Sequence, residues 1–168
     1  MPLADSLLAE LEQEAGATRA ALSRVPDSRL AWKPHEKSMS MGQLAQHIAT
    51  LQGGVAKLGM QSTMAMESFS PTPPPESAAA ILQAFEESLA QARQIVGGMS
   101  DADLMVNWSM TKGGVPVLTI PRIGLYRSIM LNHLYHHRGQ LTVYLRLLDI
   151  PVPSVYGPSA DENPFAGK

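Results

Sequence analysis

The sequence predicts an all-α fold, a four-helix bundle with a long connection before its last helix. Three observations carry this reading. Apolar residues recur at helical spacing in four separate stretches of the 168-residue chain. Prolines fall between those stretches or at their first residue. Hydrophobic residues make up 45% of the chain and aromatics only 5%, so the core must be built from Leu, Ala, Met, Ile and Val.

The first helix is expected over residues 3–23. Leu3, Leu7, Leu8, Leu11, Ala15 and Leu22 lie near one face, with Glu10, Glu12, Glu14 and Arg19 elsewhere. Pro26 ends it, and an irregular connection holding Trp32, Pro34 and His35 follows. His35 is read as a solvent-exposed loop residue. Ser40 and Gln43 fit a capping box, in which each side chain satisfies an orphan amide of the first turn. The second helix, about 41–60, has a stripe of Leu44, Ile48, Leu51, Val55 and Leu58. Gly53-Gly54 weakens it by roughly 1 kcal/mol per glycine relative to alanine, which predicts a packing reason for the small backbone there.

The run S-F-S-P-T-P-P-P at 68–75 removes amide donors and favours an extended connection. A third helix, about 76–97, carries Ile81, Leu82, Phe85, Leu89, Ala92, Ile95 and Val96, and Gly97-Gly98 is placed to close it. Ser100 with Asp103 caps one short extra turn. Two β-prone runs flank Lys112-Gly113-Gly114, as in a short hairpin or an ordered loop. Pro121 opens the fourth and longest helix, about 121–149, and Pro151 and Pro153 stop it. There is no internal repeat and no domain boundary, so residues 1–168 are read as one domain with a turn-rich tail over the helices.

Composition narrows the function. The net charge is −2 and no block of basic residues occurs, which argues against nucleic acid and anionic membrane surfaces as partners. There is no cysteine, so disulfides, thiolate metal sites and cysteine nucleophiles are excluded. The acidic N-terminal stretch does not fit a signal peptide, and no run of eighteen apolar residues exists. A cytoplasmic protein is expected.

The chemistry lies in the histidines. Residues 132–140 read N-H-L-Y-H-H-R-G-Q and hold three of the five. At about 100° per residue, His133 and His137 share an arc with Tyr126, Met130, Leu134, Leu141, Tyr144, Leu145 and Leu148. Four residues apart, they stack one turn above the other and their ring nitrogens can converge. His136 lies about 60° from His133 and about 100° from His137, beside the pair and not in it. His47 sits next to the apolar stripe of the second helix. If the two stripes face each other, three imidazoles meet. Buried imidazoles without partners are costly, and a divalent cation answers that cost, imidazole nitrogen being a good ligand for Zn, Ni, Cu or Fe. A histidine on an apolar face is also commonly a hydrogen-bonded core residue, so His47 alone does not decide the matter. Leu134 stands where a zinc peptidase helix has glutamate, which rules out the H-E-x-x-H class. Three histidines with no fourth protein ligand would leave an open position for water or substrate.

Other residues carry two readings each. Tyr144 and Tyr126 are either donors to a bound substrate or core tyrosines with satisfied hydroxyls. Arg138 and Gln140 are expected to point away from the pair, toward the tail. Asp161 and Glu162 are either carboxylates orienting a ligand imidazole or part of a solvated tail. Met39, Met41, Met60, Met64 and Met66 are either soft ligands or flexible packing. Ile129, His136, Val143 and Leu147 form a second apolar strip on the last helix, with Leu125 beside it, expected to pack partly on another helix and partly on a second subunit.

The stretches L-A-W-K-P-H-E-K-S-M-S-M-G-Q-L-A-Q-H-I-A, N-H-L-Y-H-H-R-G-Q-L-T-V-Y-L-R and V-P-S-V-Y-G-P-S-A-D-E resemble the DinB/YfiT-like metalloenzymes, and the resemblance spans nearly the whole chain. It implies a four-helix bundle, often homodimeric, with a divalent metal, zinc or nickel, held by His47, His133 and His137. Related branches are thiol-dependent transferases and isomerases using bacillithiol, mycothiol or glutathione, in which the metal deprotonates and orients the cofactor thiol. No thiol-binding residue maps onto this sequence. Three functions remain: a metal-dependent transferase or hydrolase on a small molecule, a non-catalytic metal- or ligand-binding module, and a structural dimer.

Overall fold

The computed structural model describes residues 1–68, 70 and 73–166. The long helices are α1 (Leu3–Leu22), α2 (Met41–Gly59), α3 (Ala78–Gly97) and α6 (His133–Leu147). Two short helices, α4 (Asp101–Met105) and α5 (Arg122–Leu125), flank a sheet of β1 (Thr63–Ala65), β2 (Asn107–Lys112) and β3 (Val115–Pro121). The all-α expectation is thereby corrected: the fold is mostly helical with a small three-stranded sheet. Phe69, Pro71 and Thr72 of the expected extended connection lie outside the described residues.

Helix starts follow the caps. Ser40 accepts from the Gln43 amide while the Gln43 side chain accepts from the Ser40 amide, and Ser100 with Asp103 repeats the arrangement at α4. Ser77 caps α3 by accepting from the Ala80 amide. The end of α3 differs from expectation. Gly98 keeps right-handed geometry (φ −85°), so no left-handed glycine closes that helix. The left-handed residue falls instead after α6, where Asp149 (φ 56°) lets the Ile150 amide donate back to the Leu145 carbonyl.

Helix α2 packs along both α3 and α6, and α1 packs against α3 and α6. Their shared core holds Leu11, Leu22, Leu44, Ile48, Ile81, Phe85, Leu89, Leu134, Leu141 and Leu145. Gly53 supplies the predicted packing reason. Its amide donates to Ser88 Oγ (2.8 Å), and a Cβ there would come within 2.8 Å of the Ser88 carbonyl oxygen. Gly54 has no such neighbour and faces open space.

The hairpin forms at Gly113 (φ 55°) and Gly114 (φ 79°), the two consecutive positive-φ positions that a type I′ turn requires. The sequence gives no warning of β1, a three-residue strand paired in parallel with β2 through Thr63–Ser109, Met64–Met110 and Ala65–Thr111.

The last long helix is continuous from Arg122 to Leu147, but its middle, Tyr126–Asn132, is wound as a π-helix. That widened segment breaks the uniform wheel. Leu131, about 160° from His133 at 100° per residue, is as fully buried as Met130 and Leu134. The second apolar strip divides. Leu125 is in the core and Ile129 packs on it, whereas His136, Val143 and Leu147 are exposed.

Candidate metal centre

The histidines of two helices come together. His47 stands two turns into α2, and the register of α2 against the last helix is set at both ends. Tyr126 donates its hydroxyl to the Ala56 carbonyl (3.2 Å) at one end, and Tyr144 donates to the Met39 carbonyl (3.2 Å) at the other. Chain order rises along one helix as it falls along the other, so the two run antiparallel. His47 is thereby brought level with the first turn of α6. Gly59 permits the close approach beside Tyr126, since a Cβ at Gly59 would meet the Tyr126 ring at 2.6 Å. Both tyrosines are thus structural, with satisfied hydroxyls, and Trp32 packs edge-on against Tyr144.

His133 Nε2 lies 3.1 Å from His47 Nε2 and 2.9 Å from His137 Nε2. One ligand atom from each of the three residues falls within 4.8 Å of the others. His137 is buried, and His47 and His133 are half-buried. Burial pushes the His47 imidazole down to about 4, with His137 and His133 adding to the effect. Burial likewise lowers His133, helped by His137 and His136. It lowers His137 too, against a partial upward pull from Gln140 and with a further push down from His136. At neutral pH all three rings are therefore uncharged and carry one proton each. Three nitrogens this close cannot all be satisfied by each other, because each accepting lone pair needs its own donor. A cation accepting all three lone pairs resolves the conflict, and this donor set fits a divalent ion of the zinc or nickel type.

Gln140 corrects one expectation. It does not turn to the tail: its Oε1 lies 2.7 Å from His137 Nδ1. The i,i+3 neighbour rule carried that signal. Arg138 does turn away from the site, and reaches both the tail and α1. Its buried guanidinium donates to the Glu14 carboxylate (2.6 Å), to Thr18 Oγ1 (3.0 Å) and to the Tyr156 hydroxyl, which in turn donates to Glu14 (2.8 Å). Of the two readings for Asp161 and Glu162, orientation of a ligand imidazole is not found, and neither carboxylate is simply solvated. Asp161 pairs with Arg146 and accepts from the Val152 amide, and Glu162 pairs with Arg24 and accepts from the Ser154 amide. They hold the tail down and orient no imidazole. His136 is exposed, its ring 4.9 Å from that of His137, beside the triad as expected. His35 is exposed in its loop. Met41 is core and Met64 packs on it, while Met39, Met60 and Met66 are exposed.

Comparison with known proteins bears on the fold and the family. The chain is 26% identical over 163 residues to the uncharacterised protein YrdA of Bacillus subtilis, spanning 94% of this chain and 90% of that one. A crystal structure of a DinB-like protein from Bacillus cereus superposes with a TM-score of 0.74 at 22% identity, covering 90% of this chain and 97% of the other. A DinB-like protein from Bacillus subtilis gives 0.69 at 18% identity, covering 89% and 96%. These two likenesses speak to the fold. Residues 10–141, which include the hairpin and all three histidines, match the model of the DinB superfamily, and the chain belongs to that family.

Proposed function

We propose that this protein is a metal-dependent enzyme, a transferase or hydrolase acting on a small molecule, with a low-molecular-weight thiol as the cofactor that the family resemblance suggests. His47, His133 and His137 would hold a zinc or nickel ion. The observation that carries the reading is the convergence of three Nε2 atoms from two helices in a half-buried place. When bound, a divalent ion in such a site polarises a ligand oxygen or sulfur and lowers the pKa of its proton toward neutrality. The chain's own contributions are distinct. Burial keeps the three imidazoles neutral and ready to donate lone pairs, and Gln140 accepts from the His137 ring. Arg138, locked by Glu14 and Thr18, fixes the α6 backbone next to His137. With three protein ligands, the site would stay open to substrate.

We read the scaffold as a four-helix bundle carrying an inserted sheet, forming one domain over the whole chain and working in the cytoplasm. No helix among the described residues is long and apolar enough to cross a membrane, and the net charge of −2 supports a reading without nucleic acid. The exposed Val143 and Leu147 on the outer face of α6 support a homodimer. Sedimentation at micromolar concentration checks it, and a clean monomer would discard it.

One observation favours a second reading, a non-catalytic module that holds metal or ligand. The tail carboxylates Asp161 and Glu162 are committed to arginines, which leaves neither free as a general base. Thermal shift of zinc-loaded protein with bacillithiol, mycothiol and glutathione, followed by conjugation of a model electrophile, separates the two. Thiol binding with turnover supports the enzyme, and thiol binding without turnover supports the module. Metal content equal in wild type and His133→Ala would remove both.

A further inference from the structure

The three imidazoles are not equivalent. His137 is the most buried of them and has a hydrogen-bond partner on each ring nitrogen, Gln140 Oε1 at Nδ1 (2.7 Å) and His133 at Nε2 (2.9 Å). Among the described residues, His47 and His133 make hydrogen bonds through Nε2 alone. His137 thus has a partner at Nδ1, the nitrogen facing away from the converging group, and the other two rings have none there among the described residues.

We infer that Gln140 is the positioning residue of the site: by accepting the Nδ1 proton of His137 it fixes that ring's tautomer and makes His137 the pre-formed ligand around which the other two assemble. This rests on the metal-site reading above and adds to it a division of labour among the ligands.

The chemistry follows from the amide. A neutral imidazole has one N–H and one lone pair, and which nitrogen holds the proton is set by the partner of the other. With the Gln140 oxygen at Nδ1, the proton sits there and Nε2 offers only its lone pair. The opposite orientation, amide N–H into Nδ1, would place a proton on Nε2, in the middle of the converging group and in the way of any ion. The position of Gln140 is set by helix geometry, three residues and less than one turn beyond His137, so its side chain needs no other element to hold it. A glutamine performs this task without adding negative charge, whereas a carboxylate would also raise the basicity of the ligand. Gln140 is exposed, so water competes for its amide. The effect of removing it is therefore placed at the low end of the 10- to 100-fold range that such orienting groups command, about tenfold in metal affinity.

The test uses two readouts on the full chain near pH 7.5. Long-range proton–nitrogen correlation spectra of metal-free protein report each histidine tautomer, with His137 assigned by comparison with His137→Gln. Competition with a chromophoric chelator gives the zinc affinity. In wild type His137 should carry its proton on Nδ1. Gln140→Leu should give a mixed tautomer, weaken zinc about tenfold, and melt like wild type when metal-free. Gln140→Glu should restore the Nδ1 tautomer and bind zinc at least as tightly as wild type. A wild-type His137 protonated on Nε2, or a Gln140→Leu variant with unchanged tautomer and unchanged affinity, overturns the inference. If wild-type protein binds no zinc, the proposed function fails by itself, and the tautomer shift between wild type and Gln140→Leu still decides the role of Gln140.

Discussion

His47 Nε2 and His133 Nε2 stand 3.1 Å apart although 86 residues separate them in the chain. Two neutral rings at this distance share at most one proton, and His137 crowds the same point. A cation among the nitrogens would relieve this crowding, and that gives the first prediction.

Metal should stabilise the fold measurably. A ligand that binds only the native state, present at about 100 times its dissociation constant, adds about 2.7 kcal/mol. For a chain of this size that raises the melting temperature by about 5–10 °C. Differential scanning of chelator-treated protein with and without added zinc or nickel checks it. His47→Ala and His133→Ala should each abolish most of the shift, and a full shift in either variant would show that the ion sits elsewhere.

The metal-free protein should lose stability on mild acidification. The His47 pKa is depressed from 6.5 to about 4, with burial the main cause, and those of His133 and His137 are lowered as well. The unfolded chain therefore binds more protons than the native one in this window. Stability is fully present above pH 6.5 and falls as pH drops toward 4. Glu12 and Glu86, paired with Arg93 and Arg19, are held below their usual 4.5 and add their own loss only below that value. Chemical denaturation between pH 7 and 5 isolates the histidine part. His47→Gln should flatten the dependence, and an unchanged slope in that variant would contradict the assignment.

Breaking the buried pair of Arg138 and Glu14 should be costly. Their side chains are 2% and 5% exposed. Removing one partner leaves the other charge buried and unpaired, at about 3–5 kcal/mol. Arg138→Met and Glu14→Gln should each unfold at much lower denaturant, and the double variant Glu14→Leu with Arg138→Met should recover much of the loss. Additive losses in the double variant would show that the pair is not coupled.

Gly53 and Gly54 should answer alanine with opposite signs. At Gly53 the added methyl meets the Ser88 backbone, which cannot swing away, and overpacking of this kind costs about 1–3 kcal/mol. At Gly54 the methyl meets nothing, and the gain in helix propensity is about 1 kcal/mol. Denaturation midpoints of the two single variants read the difference directly.

Much of this was legible in the residues. Ser40 with Gln43 and Ser100 with Asp103 mark helix starts because capping is local chemistry. Lys112-Gly113-Gly114 marks the hairpin because only positive φ fits a tight turn there. His133 and His137 read as a pair because four residues is one turn, and His47 joined them through its place beside the apolar stripe of the second helix, with the family resemblance pointing the same way. What stayed hidden was non-local or irregular. Thr63–Ala65 is too short to show alternation, and its partner strand lies more than forty residues on. The ties of Asp161 and Glu162 to Arg146 and Arg24 are hidden because nothing local says that the tail folds back on those arginines. Gln140 was misplaced because a wheel gives the direction of a position and not the reach of a long side chain.

The widened turn at Tyr126–Asn132 gives the last helix a place to absorb a change in chain length. A π-turn holds about one residue more than an α-turn, so losing a single residue there would let the ladder close as an ordinary α-helix with the downstream side chains facing nearly as before. A deletion between His47 and Ala56 has no such outlet: it would turn His47 by about 100° relative to the Ala56–Tyr126 contact and off the histidine pair. Length changes on one of the two helices are therefore the lesions that would separate an intact fold from a working centre, and homologues with a shorter segment before the paired histidines should keep the histidine on the facing helix.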